Sequence, residues 1–394
     1  MLPLMSFVDP LPIVDLAERT RAFVERVVYP LEHLVSADQF PEAELAAARA
    51  EARRAGLYGP QIAKSYGGLE LPLDALPAIF EAAGRSMLGP LVLGCNAPDE
   101  GNLHTLELAA SGAQRVAYLQ PLAEGRVRSA FAMTEPAPGA GSDPSAISTT
   151  ARRDGNSFVI DGHKWFITGA DGAAFFLVMA RTQLEGPVHK SCTLFIVPSD
   201  TPGVQLVRRI PVLGEMSPGG HCELRFVGCR VDASQILGEE NGGFALAQKR
   251  LGPARLTHCM RWTGAAQRCL EIAIERALHR DAFGGPLADK QAVQWMLADS
   301  HTELELGRLM IRRAAQKLVA GEEARLDCAM AKVHVAESVN RVIDRAIQIC
   351  GALGLSGDLP LAAFYAEARA FRIYDGASEV HRMVIARELL RGRA

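Results

Sequence analysis

Residues Phe131–Asp143 read FAMTEPAPGAGSD, and they stand where the character of the chain changes. Glycines, small side chains and hydroxyls let backbone N–H groups approach a ligand closely there, although a plain turn-rich loop has the same composition. Upstream, from about residue 10 to 125, the pattern is helical. Leu16, Phe23, Val24, Val27 and Leu31 recur at three- and four-residue steps, as one helix face requires. Pro30 and Pro41 punctuate this zone, Glu42–Arg54 is made of strong helix formers, and Gly56 and Gly67-Gly68 mark turns. Downstream, short β-branched and aromatic runs alternate with turn residues. Phe158-Val159-Ile160 leads to a predicted Asp161-Gly162 turn, then to Trp165-Phe166-Ile167-Thr168. Phe175–Met179 and Thr193–Val197 read as buried strands. Within His221–Val231, Cys222, Leu224 and Phe226 share one face and Glu223 and Arg225 the other. The helical period then returns: Val339, Val342, Ile343, Ala346, Ile347 and Cys350 form an apolar stripe, broken by Gly351, Gly354 and Gly357. The order is helices, strands, helices, with domains expected at 1–125, 126–238 and 239–394. The fold class is α+β multidomain, and the last zone reads as a helix bundle.

Composition excludes several function classes. The 394 residues carry 42 Lys+Arg against 45 Asp+Glu, a net charge of -3, and 48% are hydrophobic. That is enough apolar material for a large core, and there is no basic excess to neutralise nucleic-acid phosphates. No apolar run approaches the ~20 residues of a membrane span. The opening MLPLMSFVDP lacks the layout of a signal peptide, and the closing RGRA shows no targeting address, so a cytoplasmic location is expected. Cys95, Cys192, Cys222, Cys229, Cys259, Cys269, Cys328 and Cys350 include no C-x-x-C pair. They read as reduced, buried thiols, and no metal site is expected. Rossmann, P-loop and H-E-x-x-H signatures are missing too.

Three further stretches carry chemistry. Trp165-Phe166-Ile167-Thr168 is an ordinary aromatic strand, or one that sets an aromatic face and a hydroxyl beside a flat ring. Arg280-Asp281-Ala282-Phe283-Gly284, with Gln291 beyond, offers either a solvated charge or a pyrophosphate clamp. Arg372–Arg382 holds Asp375-Gly376, either a turn between helices or a functional carboxylate, with Ser378 placed to cap the last helix.

The four stretches in this order, with Gln348-Ile349-Cys350-Gly351 between the last two, resemble the acyl-CoA dehydrogenase family over essentially the whole chain. Cys95–Asp99, Arg250–Arg255 and Asp375-Gly376 with Glu379-Val380-His381 resemble most the branch in which some members are fused to a phosphotransferase-like kinase. The resemblance implies a helical N-terminal domain, a central β-barrel-like domain and a C-terminal four-helix bundle, with FAD between the last two. It implies flavin contacts from Phe131, Met133, Thr134, Gly141, Ser142, Phe166, Ile167 and Thr168. Arg280, Phe283 and Gln291 would reach the FAD of a neighbouring subunit in a homodimer or homotetramer. Gln348, Gly351 and Ala352 match adenine-side contacts, and Ala377 and Glu379 approach the cofactor after the base. Ser142, Arg255 and Gly376 match substrate-side positions.

The implied reaction is α,β-dehydrogenation of an acyl-CoA thioester in fatty acid β-oxidation, with electrons passed to an electron-transferring flavoprotein. The α-proton would go to Asp375 and the β-hydride to flavin N5. The Asp375 N–H would help bind the thioester carbonyl, and burial in an apolar pocket is expected to raise the carboxyl pKa. The chain departs from the common pattern in four places. Asp375 stands where Glu is usual, Ala137-Pro138 enlarge the loop, Ala377 replaces Thr and Phe166 replaces Trp; Ala254, at the base position some members use instead, cannot serve, which favours Asp375. His258, three residues after Arg255, is a secondary candidate for substrate recognition; lone histidines such as His104, His221 and His381 more often play structural parts. Competing readings are a carbon-acid oxidase of the nitroalkane-oxidase type, a monooxygenase relative and a non-catalytic family member.

Overall fold

The helix formers and apolar stripes of the two helical zones become long helices, and the β-branched runs between them form one sheet. A computed structural model describes residues 11–35, 40–214 and 217–391. The terminal segments read for targeting signals, 1–10 and 392–394, lie outside these. The main helices are α1 (Leu11–Phe23), α2 (Glu42–Arg54), α3 (Pro77–Gly84), α4 (Asp99–Ala109), α5 (Gly243–His279), α6 (Gln291–Val319), α7 (Arg325–Cys350), α8 (Leu361–Phe371) and α9 (Ser378–Leu390). The strands are β1 (Ser129–Ala132), β2 (Thr150–Asp154), β3 (Ser157–Thr168), β4 (Phe175–Arg181), β5 (Cys192–Pro198), β6 (Val204–Arg209) and β7 (His221–Asp232). The chain divides into two units: a helical one of residues up to Gln61, Leu69–Cys95 and Arg255 onward, and a sheet-centred one of Ile62–Gly68 and Asn96–Ala254.

In the helical unit, α7 buries Val339, Val342, Ile343, Ala346 and Cys350 of the predicted stripe, leaves Ile347 half-buried and buries Val335 as well. Gly351 ends it at φ +64°, a conformation that favours glycine. Helices α3 and α5 cross with their backbones in contact. A Cβ on Gly84 would fall 2.0 Å from the Arg261 carbonyl oxygen, and one on Gly264 would fall 1.9 Å from that of Glu81. Part-buried ion pairs tie α5 to the N-terminal region, Arg268 to Glu32 at 2.7 Å and Glu271 to Arg85 at 2.5 Å, and Arg85 also meets Glu25 at 3.2 Å.

The sheet runs β1-β4-β2-β3-β7-β6, with β5 on the other side of β4. β1 and β2 run parallel to β4, and the remaining pairs are antiparallel. Phe158, Ile160, Phe176, Val178, Phe195, Leu224 and Phe226 fill its core. The sequence reading errs at Asp161-Gly162, which is no turn: β3 runs unbroken past it, with a register shift against β7 between Ile160 and Gly162. Gly162 serves close packing instead, since a Cβ there would lie 2.3 Å from the Thr149 hydroxyl oxygen. Among the described residues no helix is long and apolar enough to cross a membrane, and no His, Cys, Asp and Glu side chains group as metal ligands. All eight cysteines are buried.

Candidate active site

In the sheet-centred unit, the chain leaves β1 through Met133, Thr134 and Glu135 and is tied at once to the end of β3. The Trp165 N–H donates to the Thr134 carbonyl at 3.1 Å, and the Thr134 hydroxyl donates to the Trp165 carbonyl at 2.6 Å. Lys164, wholly buried, donates to the Met133 carbonyl at 3.0 Å and to Glu135 Oε1 at 2.8 Å. Glu135 also accepts from the Ser148 N–H and hydroxyl at 2.7 and 2.6 Å and from the Thr149 N–H at 3.0 Å. Burial alone would raise its carboxyl, but Lys164 and these donors outweigh burial and hold it at about 2. The loop is thereby fixed on a buried ion pair.

Beside that anchor, Phe166 takes φ +52°, keeps 46% of its surface exposed and meets Trp165 edge-on at 4.8 Å. Ile167 points into the core, and the Thr168 hydroxyl lies 3.0 Å from His221 Nδ1. Phe131 lies 4.2 Å from the guanidinium of buried Arg250, which donates to Asn102 at 3.1 Å. Gly141 and Ser142 are exposed in the loop, next to Asp143, which accepts from the Ser145 N–H at 2.9 Å.

In the helical unit, the link from α8 to α9 carries Asp375 at φ +53° and Gly376 at φ +98°. Asp tolerates this left-handed region better than most residues, and Gly376 is required because a Cβ would lie 2.5 Å from His381 Nε2. Cationic and imidazole groups hold the link. Arg255 Nε donates to the Asp375 carbonyl at 2.9 Å, His381 Nε2 lies 3.3 Å from the same oxygen, and Lys332 donates to the Phe371 carbonyl at 2.5 Å. Lys332 is wholly buried, 4.6 Å from the Phe371 ring, and burial pushes it down to about 8. Burial first, then the nearby Arg255 cation, push His381 down to about 4, so it is neutral at pH 7.

The Asp375 carboxylate meets His258 Nε2 through Oδ2 at 3.1 Å, and the two side chains are 20% and 13% exposed. Aromatic rings wall the pair. His258 is 4.9 Å from Tyr374 and 6.0 Å from Phe371, Trp262 stacks on Phe371 at 6.1 Å, and Trp262 Nε1 donates to the Tyr374 hydroxyl at 2.6 Å. The expected apolar pocket for Asp375 is therefore corrected. Its walls are aromatic, but Arg255, His258, Lys332 and His381 crowd the same link.

Besides Gly141 and Ser142 in the loop, the predicted site residues fall into five places. Phe131, Met133, Thr134, Phe166, Ile167 and Thr168 gather at the ends of β1 and β3. Arg255, His258, Asp375 and Gly376 gather beside the α8–α9 link. Arg280, Phe283 and Gln291 are exposed around the α5–α6 connection, where Phe283 is 97% exposed at φ +53°. Gln348, Gly351 and Ala352 are exposed at the end of α7. Ala377 is half-buried and Glu379 exposed at the start of α9. Ser378 does not cap α9; it is the first helical residue, and the cap position, Ala377, has no side-chain hydrogen bond. Sequence reasoning missed Glu135, Lys164, Lys332 and Tyr374. A lysine inside a buried strand and another on the apolar stripe of α7 were the available signals, since such charges are buried only with partners.

Family models for the acyl-CoA dehydrogenase N-terminal, middle and C-terminal domains match residues 14–126, 130–229 and 241–390. A Mycobacterium tuberculosis chain named "Probable acyl-CoA dehydrogenase FadE2" is 45% identical over 78% of this chain and 77% of its own length. "Acyl-CoA dehydrogenase family member 10" of Mus musculus is 38% identical over 96% of this chain. This chain spans only 37% of that relative and 41% of family member 11 of Homo sapiens. The solved butyryl-CoA dehydrogenase of Megasphaera elsdenii superposes with a TM-score of 0.87 at 28% identity, covering 98% of this chain and all of that one. With three domain models in register and a relative of that identity, the chain belongs to the acyl-CoA dehydrogenase family, whose members are FAD-dependent.

Proposed function

We propose that this chain dehydrogenates a saturated acyl-CoA thioester across its α and β carbons, with Asp375 as the base and an electron-transferring flavoprotein as acceptor. The observation that carries the reading is Asp375 itself. It is a part-exposed carboxylate on a glycine-hinged link, clamped through its backbone carbonyl by Arg255 and walled by Tyr374, Trp262 and Phe371. Ala254, at the alternative base position, has no proton acceptor on its side chain.

The residues present suit FAD. Phe166 is an exposed aromatic two residues before the Thr168 hydroxyl on β3, an apolar face with one hydroxyl that fits a flat hydrogen-bonding ring. Exposed Arg280 supplies a planar guanidinium suited to a pyrophosphate. FAD, when bound, supplies the acceptor for the β-hydride. The chain's own part is positional and electrostatic. The aromatic wall limits water at the carboxylate, Arg255 and His381 fix the Asp375 carbonyl, and the carboxylate takes the α-proton. The reading extends to fatty acid β-oxidation, to an assembly of two or four chains in which Arg280 serves a neighbour, and to a reducing cytoplasm that suits eight buried cysteines.

Anaerobic mixing of the FAD-loaded protein with saturated acyl-CoAs from butyryl to palmitoyl, and with 4-hydroxyacyl forms, tests the reaction. Rapid flavin bleaching by one chain class, reoxidised by electron-transferring flavoprotein, is expected. Turnover with O₂ on a nitroalkane, without any response to thioesters, would replace this reading with the oxidase.

A further inference from the structure

We propose that His258 is a positioning residue for proton transfer: its imidazole holds Oδ2 of Asp375 so that the other carboxylate oxygen takes the substrate's α-proton. The proposal rests on the reading of Asp375 as the base. Three observations carry it. Nε2 of His258 lies 3.1 Å from Oδ2, within hydrogen-bond reach. The imidazole is itself fixed, packed against the rings of Tyr374 and Phe371 at 4.9 and 6.0 Å, which touch each other at 5.4 Å, and the Trp262–Tyr374 hydrogen bond of 2.6 Å braces that wall. One helix face does two jobs. Arg255 and His258, three residues apart on α5, hold the backbone carbonyl and the carboxylate of the same residue.

An aspartate is one methylene shorter than the glutamate usual in the family. It cannot reach towards a misplaced carbon, so its rotamer has to be set in advance, and restraint of one oxygen sets it. In the step, the α C–H bond breaks and its proton goes to Oδ1. Its electron pair forms the new double bond as the β-hydride leaves for FAD, the acceptor of the family reaction. His258 keeps its Nε2 proton throughout.

Other groups feel the same carboxylate: Arg255 and Cys259 from α5, Lys332 from α7, Tyr374 from the link and His381 from α9. All of them remain in variants of His258. A donor on the ionised carboxylate favours that form, so its loss moves the acid limb of the bleaching rate to higher pH.

The test compares FAD-loaded His258→Gln, His258→Asn and His258→Phe with the parent protein. Flavin bleaching by the fastest acyl-CoA of the saturated series is followed anaerobically across pH, and acyl-CoA affinity is measured separately. The Gln amide can reach Oδ2; the Asn amide is too short and Phe has no donor. Gln is expected within about threefold of the parent rate, whereas Asn and Phe lose about tenfold to a hundredfold with an acid limb roughly one pH unit higher and affinity nearly unchanged. A parent-like rate and limb in Asn and Phe overturns the proposal, as does Gln performing no better than Asn, or a loss confined to affinity or FAD content. If Phe does not fold, the Gln–Asn pair decides alone. Asp375→Asn separates the two readings: retained bleaching there sinks the base itself, whereas an inactive Asp375→Asn beside parent-like His258 variants sinks only the pairing.

Discussion

Glu135 and Asp375 are both carboxylates beside a basic side chain, yet they do opposite work. Glu135 is sealed in, with a side chain 1% exposed, a lysine at 2.8 Å and N–H and O–H donors from Ser148 and Thr149. Asp375 keeps 20% of its side chain exposed, meets an imidazole at 3.1 Å and rides on a link with two consecutive left-handed residues. A carboxylate saturated by buried donors is held permanently ionised and serves as scaffold. A carboxylate at the surface of an aromatic wall, gripped by its backbone, can change its protonation state without loss of the fold.

The largest expected contrast lies in chemistry. Asp375→Asn should slow flavin bleaching about 10²–10⁴-fold while leaving the denaturant midpoint nearly unchanged. Lys164→Met should do the reverse. It leaves Glu135 charged and unpaired in the interior, at a cost of about 3–5 kcal/mol read from denaturant unfolding. Adding Glu135→Gln to that variant should recover part of the loss, with a coupling of about 1–3 kcal/mol in the double-mutant cycle. At the α3–α5 crossing, Gly264→Ala forces the helices apart and should cost about 1–3 kcal/mol by the same measurement.

The smallest effect is a separation of acid transitions. His381 titrates at about 4 in the folded chain against 6.5 in its ordinary state, so its contribution is present above 6.5 and lost as pH falls towards 4. Glu135 titrates at about 2 against 4.5, so its contribution is lost in the lower window, from 4.5 towards 2. Trp262 stands beside the Asp375 link and Trp165 beside the loop. In variants that retain one tryptophan each, the Trp262 emission should respond at higher pH than that of Trp165. Coincident transitions would show that the two regions do not differ in this way.

Much of this was legible in sequence. The apolar stripe of α7, the helix over Glu42–Arg54 and the alternation of β7 follow from local periodicity, which tertiary contacts only reinforce. Asp161-Gly162 misled because the dipeptide favours a turn, while the structure needs that glycine for the approach of Thr149. Motif order pointed to Asp375. The partners that make it a site are the imidazole from α5, the lysine from α7 and Tyr374 beside it. Apart from Tyr374 they come from positions far along the chain, and a periodic pattern cannot show which of them converge. Glu135 is hidden in the sequence for a similar reason. It sits inside the T-E-P motif, but its lysine lies 29 residues away in β3.

The most direct test is anaerobic mixing of FAD-loaded Asp375→Asn with the acyl-CoA that bleaches the parent protein fastest. The variant should bind the thioester and keep its oxidised flavin spectrum while the parent bleaches within the first turnover. Bleaching of the variant at the parent's rate would mean that Asp375 is not the base.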